Sequence, residues 1–407
     1  MTIGRIGGVI ERECRLEMIL ASPRDLPPRT ASFDEVGDLE QYLDAADVAV
    51  VGVLHAFKCG DVLDQLAEIK RRRGEDFVPT VLVLGGTDVN VDAGDKADVL
   101  TRRAHAVDKV VSFSASMITA APAGSLPSDG RTRVVPQGVN LPTDEEPVHL
   151  TEGDAEDANA PAPPPPPPPP LHEACGVLST TPVFLLPAGL RPVKDVLWAI
   201  DAIDSIGASS NSDPFVLAIL GPSLDDEYRD TVIERLKTSK HAVLIPPVDR
   251  AHTVGYMRAA AAVVNTSKSE GQSGAILEAA AAGVPIIARD IPGNRTLLDL
   301  LFDATGTEKG GGECDFGEFK SQPDGFESHL EGFESHPCGV LCPTPESFAA
   351  ALASSAAGRE RRSTDRAALG AECLAHGERD GWRDIIREVI GERPEGGCEP
   401  PDVAATA

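Results

Sequence analysis

Apolar residues along this chain gather into short runs separated by charged, alanine-rich stretches. "PVFLLPAGL", "PFVLAILGP", "HAVLIPPV", "AAAVVNTS" and "VPIIARDIPG" are each long enough for one strand and apolar enough to be buried on both faces. The intervening residues carry leucine, alanine and charge at helical spacing. Earlier in the chain "DVAVVGVLHAF", "PTVLVLGGTD" and "KVVSFSAS" repeat the theme. Strands alternating with helices predict an α/β fold of two Rossmann-like domains, each a doubly wound parallel sheet. Ligands in such sheets bind where strand carboxyl ends lead into helices. The first domain is expected over 1–140 and the second over 181–303. The second is completed over 338–392, where "GWRDIIREVI" is placed to pack back across the first domain.

Three segments break the pattern. Residues 141–180 begin acidic and apolar-poor and run into eight prolines, Pro163 to Pro170. That composition predicts disorder, with a polyproline helix of roughly 25 Å at about 3.1 Å per residue. The tract over 161–170 suits either a plain spacer or a ligand for a proline-binding domain. Residues 304–337, with the duplication "GFESHLEGFESH", are expected to form a disordered insert, and 393–407 a disordered tail.

Charge narrows the partners. With 407 residues, 64 acidic against 37 basic side chains and a net charge of −27, the surface does not suit nucleic acid. No apolar run approaches the roughly 20 residues of a membrane span, and the start lacks a signal-peptide core, so a cytoplasmic protein is expected. Eight cysteines with no CxxC indicate no redox pair. His336, Cys338 and Cys342, preceded by Cys314 and His329, fit no common zinc spacing, and free thiols in a flexible insert are the expectation. "DVNVDAGD" imitates a calcium loop but has Ala93 at the sixth position and Val99 at the twelfth, so no metal is assigned.

Two stretches carry candidate chemistry. In "SEGQSGAILEA", Glu270 lies in the loop after a strand, Gly271, Gln272 and Ser273 open a helix, and Glu278 sits two turns in. Helix capping explains the carboxylates; so does a ligand whose paired hydroxyls they accept, beside an anion at the helix start. In "AGLRPVKD", Arg191 and Lys194 follow Gly189 where the next helix begins. Cations there oppose the helix dipole, and a diphosphate would reverse that cost. Gly86, Thr87 and Asp88 of "GGTD", and His55 after "VVGVL", end strands of the first domain and are expected to face the cleft.

"GLRPVKD", "AAVVNTSKSEGQSGAILEAAAAGVPIIARDIPGN" and "GGTDVN" together resemble the retaining, nucleotide-sugar-dependent glycosyltransferases of the GT-B fold. The likeness is to group 1, family 4-like members, and most nearly to the glycosyltransferase 1 domain-containing group. It covers roughly 33–140 and 182–300 and resumes at "GVLCPTPESF". The hallmark is a Glu, seven residues and a second Glu ahead of a "GxP" strand, here Glu270, Glu278 and "GVP" at 283–285. The resemblance implies that Glu270 and the Gly271–Ser273 backbone hold the donor sugar and its phosphates. It assigns Glu278 to the ribose hydroxyls, Arg191 and Lys194 to the diphosphate, and the first domain to the acceptor. No cofactor is implied beyond the nucleotide-sugar substrate, with UDP favoured over GDP; the acceptor is unspecified. The chain departs from the family where Gln272 replaces an aromatic residue and where Gly189 stands in place of an arginine. "MTIGR" matches the start of a helix that in relatives follows the first strand, so that strand is expected to be missing. Two alternatives stay open: a selenosugar-synthase-like transferase on the same scaffold, and an inactive binding or scaffold protein.

Overall fold

A computed structural model describes residues 36–45, 48–74, 77–90, 96–139, 141, 167–207, 215–304, 329–330, 333–336, 338–356 and 362–390. The first domain runs α1 (Val36–Ala45), β1 (Val51–Leu54), α2 (Gly60–Arg73), β2 (Thr80–Val83), α3 (Gly86–Asn90), α4 (Ala97–Ala106), β3 (Lys109–Ser112), α5 (Ala115–Ala120) and β4 (Thr132–Val134). Its described strands form a parallel sheet in the order β1-β2-β3-β4. The expectation of a missing first strand concerns residues outside those described.

The second domain runs α6 (Leu171–Ala174), β5 (Val183–Pro187), α7 (Val196–Gly207), β6 (Val216–Leu220), α8 (Asp226–Leu236), β7 (Ala242–Ile245), α9 (Arg250–Ala259), β8 (Ala262–Asn265), α10 (Gly274–Ala281), β9 (Ile286–Arg289) and α11 (Pro292–Asp303). Three more strands follow, β10 (His329–Leu330), β11 (Phe333–His336) and β12 (Gly339–Cys342), then α12 (Pro345–Ala356) and α13 (Arg362–Ile390). The sheet order is β10-β11-β12-β9-β8-β5-β6-β7, parallel except for its β10 and β11 edge. Each face has its own core: Val183 and Leu185 of β5 enter one, Phe184 and Leu186 the other. Burial on both sides is why these strands read as unbroken apolar runs. The α/β, two-sheet fold is thus the one the patterning predicts.

Chain direction in the sheet reverses between β5 and β8. From β5 the chain moves out through β6 and β7; from β8 it moves the other way through β9 and β12. A crevice opens at such a reversal because the two following loops part to opposite faces.

The helix α13 holds the domains together. Ala367, Ala371 and Leu374 enter the core of the second domain, while Trp382 and Ile385 enter that of the first. Near its end Glu388 binds Lys109, and Arg133 at 2.9 Å. Those hydrogen bonds and charges, Lys109 first, hold the Glu388 carboxyl below its ordinary range. The helix presses on the interdomain connection: a Cβ on Gly138 would sit 2.3 Å from the Cα of Ala375.

Two expected inserts are partly built into the fold. Residues 167–180, expected to be disordered, pack on the second domain. Leu171 is fully buried, Ala174, Cys175 and Val177 lie against the same core, and the Tyr256 hydroxyl donates to the Pro169 carbonyl at 2.7 Å. Four apolar side chains at near-helical spacing are enough to dock one turn. Residues 333–336, also expected to be disordered, pair antiparallel with β12, and 329–330 pair antiparallel with them in turn, so both copies of the duplication extend the sheet edge. Of the cysteines expected in a flexible insert, Cys338 and Cys342 instead lie in the folded core, outside any disulfide. Cys338 is buried in one core and Cys342 in the core on the opposite face, while His336 meets Asp299 at 3.2 Å. Cys314 and the His329 side chain lie outside the described residues, as do the acidic segment, most of the proline tract and the tail.

Candidate functional site

The loops after β5 and β8 meet at the crevice where the sheet reverses. Lys194 ends a single 3-10 turn after β5, and its Nζ lies 2.5 Å from Oε1 of Glu270, in the loop after β8. The two side chains are only 19% and 13% exposed, so this pair is largely withdrawn from solvent. The same carboxylate oxygen accepts from Ser267 Oγ at 2.7 Å and, more weakly, from Asn265 Nδ2 at 3.5 Å. Asn265, the last residue of β8, is held in turn: its Oδ1 accepts from Nδ2 of the fully buried Asn294 at 3.1 Å. Gly293 lies beneath, where a Cβ would sit 2.1 Å from the Glu270 carbonyl oxygen. Glu270 is therefore set from three sides.

Arg191 begins the same turn as Lys194. Its Nε is buried and has no hydrogen-bond partner among the described residues. A buried guanidinium N–H without an acceptor is costly, and an anion in the crevice would relieve that cost. The next residue after Lys194, Asp195, adopts a left-handed backbone (φ 45°). It accepts from Arg289 at 2.7 Å and faces Lys268 at 3.4 Å, while the Arg289 guanidinium stacks 5.0 Å from the Trp198 ring centre. Gly189 lies before this turn and packs on Leu224, where a Cβ would meet Cδ1 at 2.5 Å.

Ser273 caps α10 from a buried position, its Oγ accepting from the Ile276 N–H and from Asn265 Nδ2 at 3.0 Å. Capping thus accounts for Ser273 and not for Glu270 or Glu278. Glu278 instead accepts from Arg250 Nε at 2.9 Å, its side chain 12% exposed.

The first domain closes over this loop. Gly86 and Gly271 touch through their backbones: a Cβ on Gly86 would lie 2.5 Å from the Gly271 nitrogen. Gln272, in place of the aromatic residue of the resemblance, accepts from the Gln137 N–H at 2.8 Å and so ties the donor loop to the interdomain connection. Asp88 is a correction. It was expected against substrate, but it is fully enclosed. Oδ2 accepts from the Ala56 and Gly85 N–H groups at 3.0 and 2.8 Å, and Oδ1 faces Nδ1 of His55 at 2.5 Å. A carboxylate consumed by a loop turn and an imidazole has no edge left for substrate. His55 lies beside it at the end of β1; the Thr87 side chain is outside the described residues.

A profile described as glycosyl transferases group 1 matches residues 181–305, the stretch that builds this crevice. These residues form a group 1 glycosyltransferase domain. Glycosyltransferase 1 domain-containing protein 1 of Xenopus tropicalis is 27% identical over 259 residues, 63% of this chain and 69% of that protein. Among solved structures, Anabaena HepE in complex with UDP-glucose aligns with a TM-score of 0.55 at 14% identity, over 87% of this chain and 81% of that one. Sucrose-phosphate synthase from Thermosynechococcus elongatus aligns at 0.57 and 13% identity, over 95% and 91%. At such identities the structural likeness speaks for the GT-B fold, while the domain and the relatives support a glycosyl-transferring enzyme. No helix among the described residues is long and apolar enough to cross a membrane.

Several members of the glycosyltransferase crevice escaped sequence reasoning. Arg250 lies 28 residues from Glu278 and gave no signal. Asn265 could have been found as the one polar residue closing the run "AVVN".

Proposed function

We propose that this glycosyltransferase takes its sugar from a nucleotide diphosphate donor and transfers it with retention at the anomeric carbon. The observation that carries the reading is the meeting of Lys194 and Glu270 at the sheet's reversal point. Lys194 and Arg191 receive the diphosphate, and the buried Arg191 Nε gains the acceptor it lacks. Glu270 and the Gly271–Ser273 turn hold the donor sugar, and Glu278, steadied by Arg250, takes the ribose hydroxyls. As the bond from anomeric carbon to phosphate oxygen breaks, the two cations stabilise the departing diphosphate. The acceptor oxygen bonds to the carbon on the face just vacated, and its proton passes to the leaving phosphate. The positive charge this step needs is supplied by side chains, without a metal. UDP is favoured over GDP by the resemblance and by the UDP-glucose held in one structural relative. The acceptor is set by the first domain.

Calorimetry on the full chain with UDP, GDP and UDP-glucose tests the reading. UDP binding that Lys194→Ala weakens is expected; no binding of either nucleotide would overturn it. Product analysis by NMR, which distinguishes the two anomers, tests retention.

A further inference from the structure

β8 is buried along its whole length, yet its last residue is polar. An asparagine in that place costs stability unless both ends of its amide are paired. Here both are. Oδ1 of Asn265 accepts from the Ser267 N–H at 3.2 Å and from Asn294 Nδ2 at 3.1 Å. Nδ2 of Asn265 donates to Ser273 Oγ at 3.0 Å and to Glu270 Oε1 at 3.5 Å.

Neither amide can be turned around. A backbone N–H only donates, so Asn265 must show its Oδ1 to Ser267. On the far side Asn294 Nδ2 also donates to the Arg289 carbonyl at 3.0 Å, and a carbonyl only accepts. Turning Asn294 would set its Oδ1 against that carbonyl and against Asn265 Oδ1. In the orientation kept, Asn294 Oδ1 is enclosed with no partner among the described residues. An unpaired buried oxygen is costly and calls for an explanation. The relay supplies one: it keeps the Asn265 NH2 group aimed at the Glu270 carboxylate. Arg289, whose carbonyl starts the relay, ends β9 and also donates through its guanidinium to Asp195, beside Lys194, at 2.7 Å. One strand end thus braces both members of the Lys194–Glu270 pair. We propose that Asn265 is a positioning residue for the donor sugar: held by Ser267 and Asn294, it fixes the direction in which Glu270 takes a sugar hydroxyl. This rests on the donor reading above. Lys194 and Ser267 give Glu270 its shorter bonds, and Asn265 sets the angle.

Two substitutions separate that role from a plain loop clamp. Asn265→Leu removes the amide at similar shape. Asn265→Asp keeps an acceptor for Ser267 and Asn294 but turns a carboxylate oxygen on Glu270; with those two donors still paired, it serves if Asn265→Leu does not fold. Calorimetry on the full chain should find UDP-glucose bound about three- to ten-fold more weakly by Asn265→Leu, and UDP within about two-fold of wild type. Asn265→Asp should lower the ratio of UDP-glucose to UDP affinity further, because two carboxylates then face each other. Glu270→Gln completes a double-mutant cycle. Acting through Glu270, Asn265→Leu should cost UDP-glucose nothing more in the Glu270→Gln background. Combining Asn265→Asp with Glu270→Gln reverses the hydrogen bond, the new amide donating to the new carboxylate, so this pair should melt above Asn265→Asp alone. Equal losses for UDP and UDP-glucose, as a general loosening of the loops would give, overturn the proposal. So do additive losses in the cycle, or an affinity ratio that Asn265→Asp leaves unchanged. With UDP still bound by wild type, those results leave the donor reading standing; if wild type binds neither UDP nor UDP-glucose, both fall.

Discussion

Replacing Lys194 by alanine should separate what its ammonium does for the fold from what it does for the donor. Folding feels the change through Glu270, which loses its cation while keeping Ser267 Oγ and Asn265 Nδ2. A carboxylate that is 13% exposed and still has two donors should cost about 1–3 kcal/mol when the pair is broken, less than a fully buried ion would. Thermal denaturation of the full chain should therefore shift by only a few °C. Donor binding feels the loss of a charged hydrogen bond to phosphate, about 1.5–3 kcal/mol, or roughly 10- to 150-fold in UDP affinity. Adding Glu270→Gln distinguishes the two effects, because a neutral amide needs no cation. The double variant should recover most of the lost stability and none of the affinity. Calorimetry with UDP on the three proteins reads the second effect and melting curves the first. A UDP affinity within about threefold of wild type in Lys194→Ala, roughly 0.7 kcal/mol, would refute the assignment of Lys194 to the diphosphate.

Further outcomes follow from the same geometry. Glu278→Gln should raise the donor KM about three- to ten-fold, with kcat little changed, because a ribose hydrogen bond weakens in ground and transition state alike; steady-state kinetics of UDP-glucose hydrolysis check it. Gly86→Ala should slow turnover while leaving the melting temperature nearly unchanged, since its Cβ, 2.5 Å from the Gly271 nitrogen, forces the domains apart without entering either core. Leu171→Ala should cost about 2–5 kcal/mol by denaturant titration, whereas deleting residues 142–166 should leave the midpoint in place. Burial pushes the Cys175 thiol up from 9.0 to about 11. The folded chain then keeps a proton that the unfolded chain releases, so this group's contribution is full below pH 9 and is lost as pH rises to about 11. Cys175→Ala should flatten the urea midpoint across that window.

The fold was legible in the sequence wherever burial on both faces left a strand no polar positions, as in "VFLLP" and "VLAIL". Period and composition are local properties, and the alternation of such runs with helices leaves little choice of class. The spacing of Glu270 and Glu278 and the proximity of Arg191 to Lys194 were also local, because each pair lies on one loop or helix. Composition misjudged the margins. Leu171 with three small apolar neighbours, and parts of both copies of the duplication, joined the structure because a neighbouring core and an open sheet edge were there to receive them. Contacts between distant residues were decided only by the tertiary structure. Sheet order brought Lys194 to Glu270 across 76 residues, and Arg250 to Glu278 across 28. Asp88 shows the difference most clearly. Its place at a strand end marked it for the cleft, but whether a carboxylate faces substrate or turns to its neighbours depends on which donors surround it. Here the Ala56 and Gly85 N–H groups and the His55 ring claim it, and the register that aligns β1 with β2 is what puts them there.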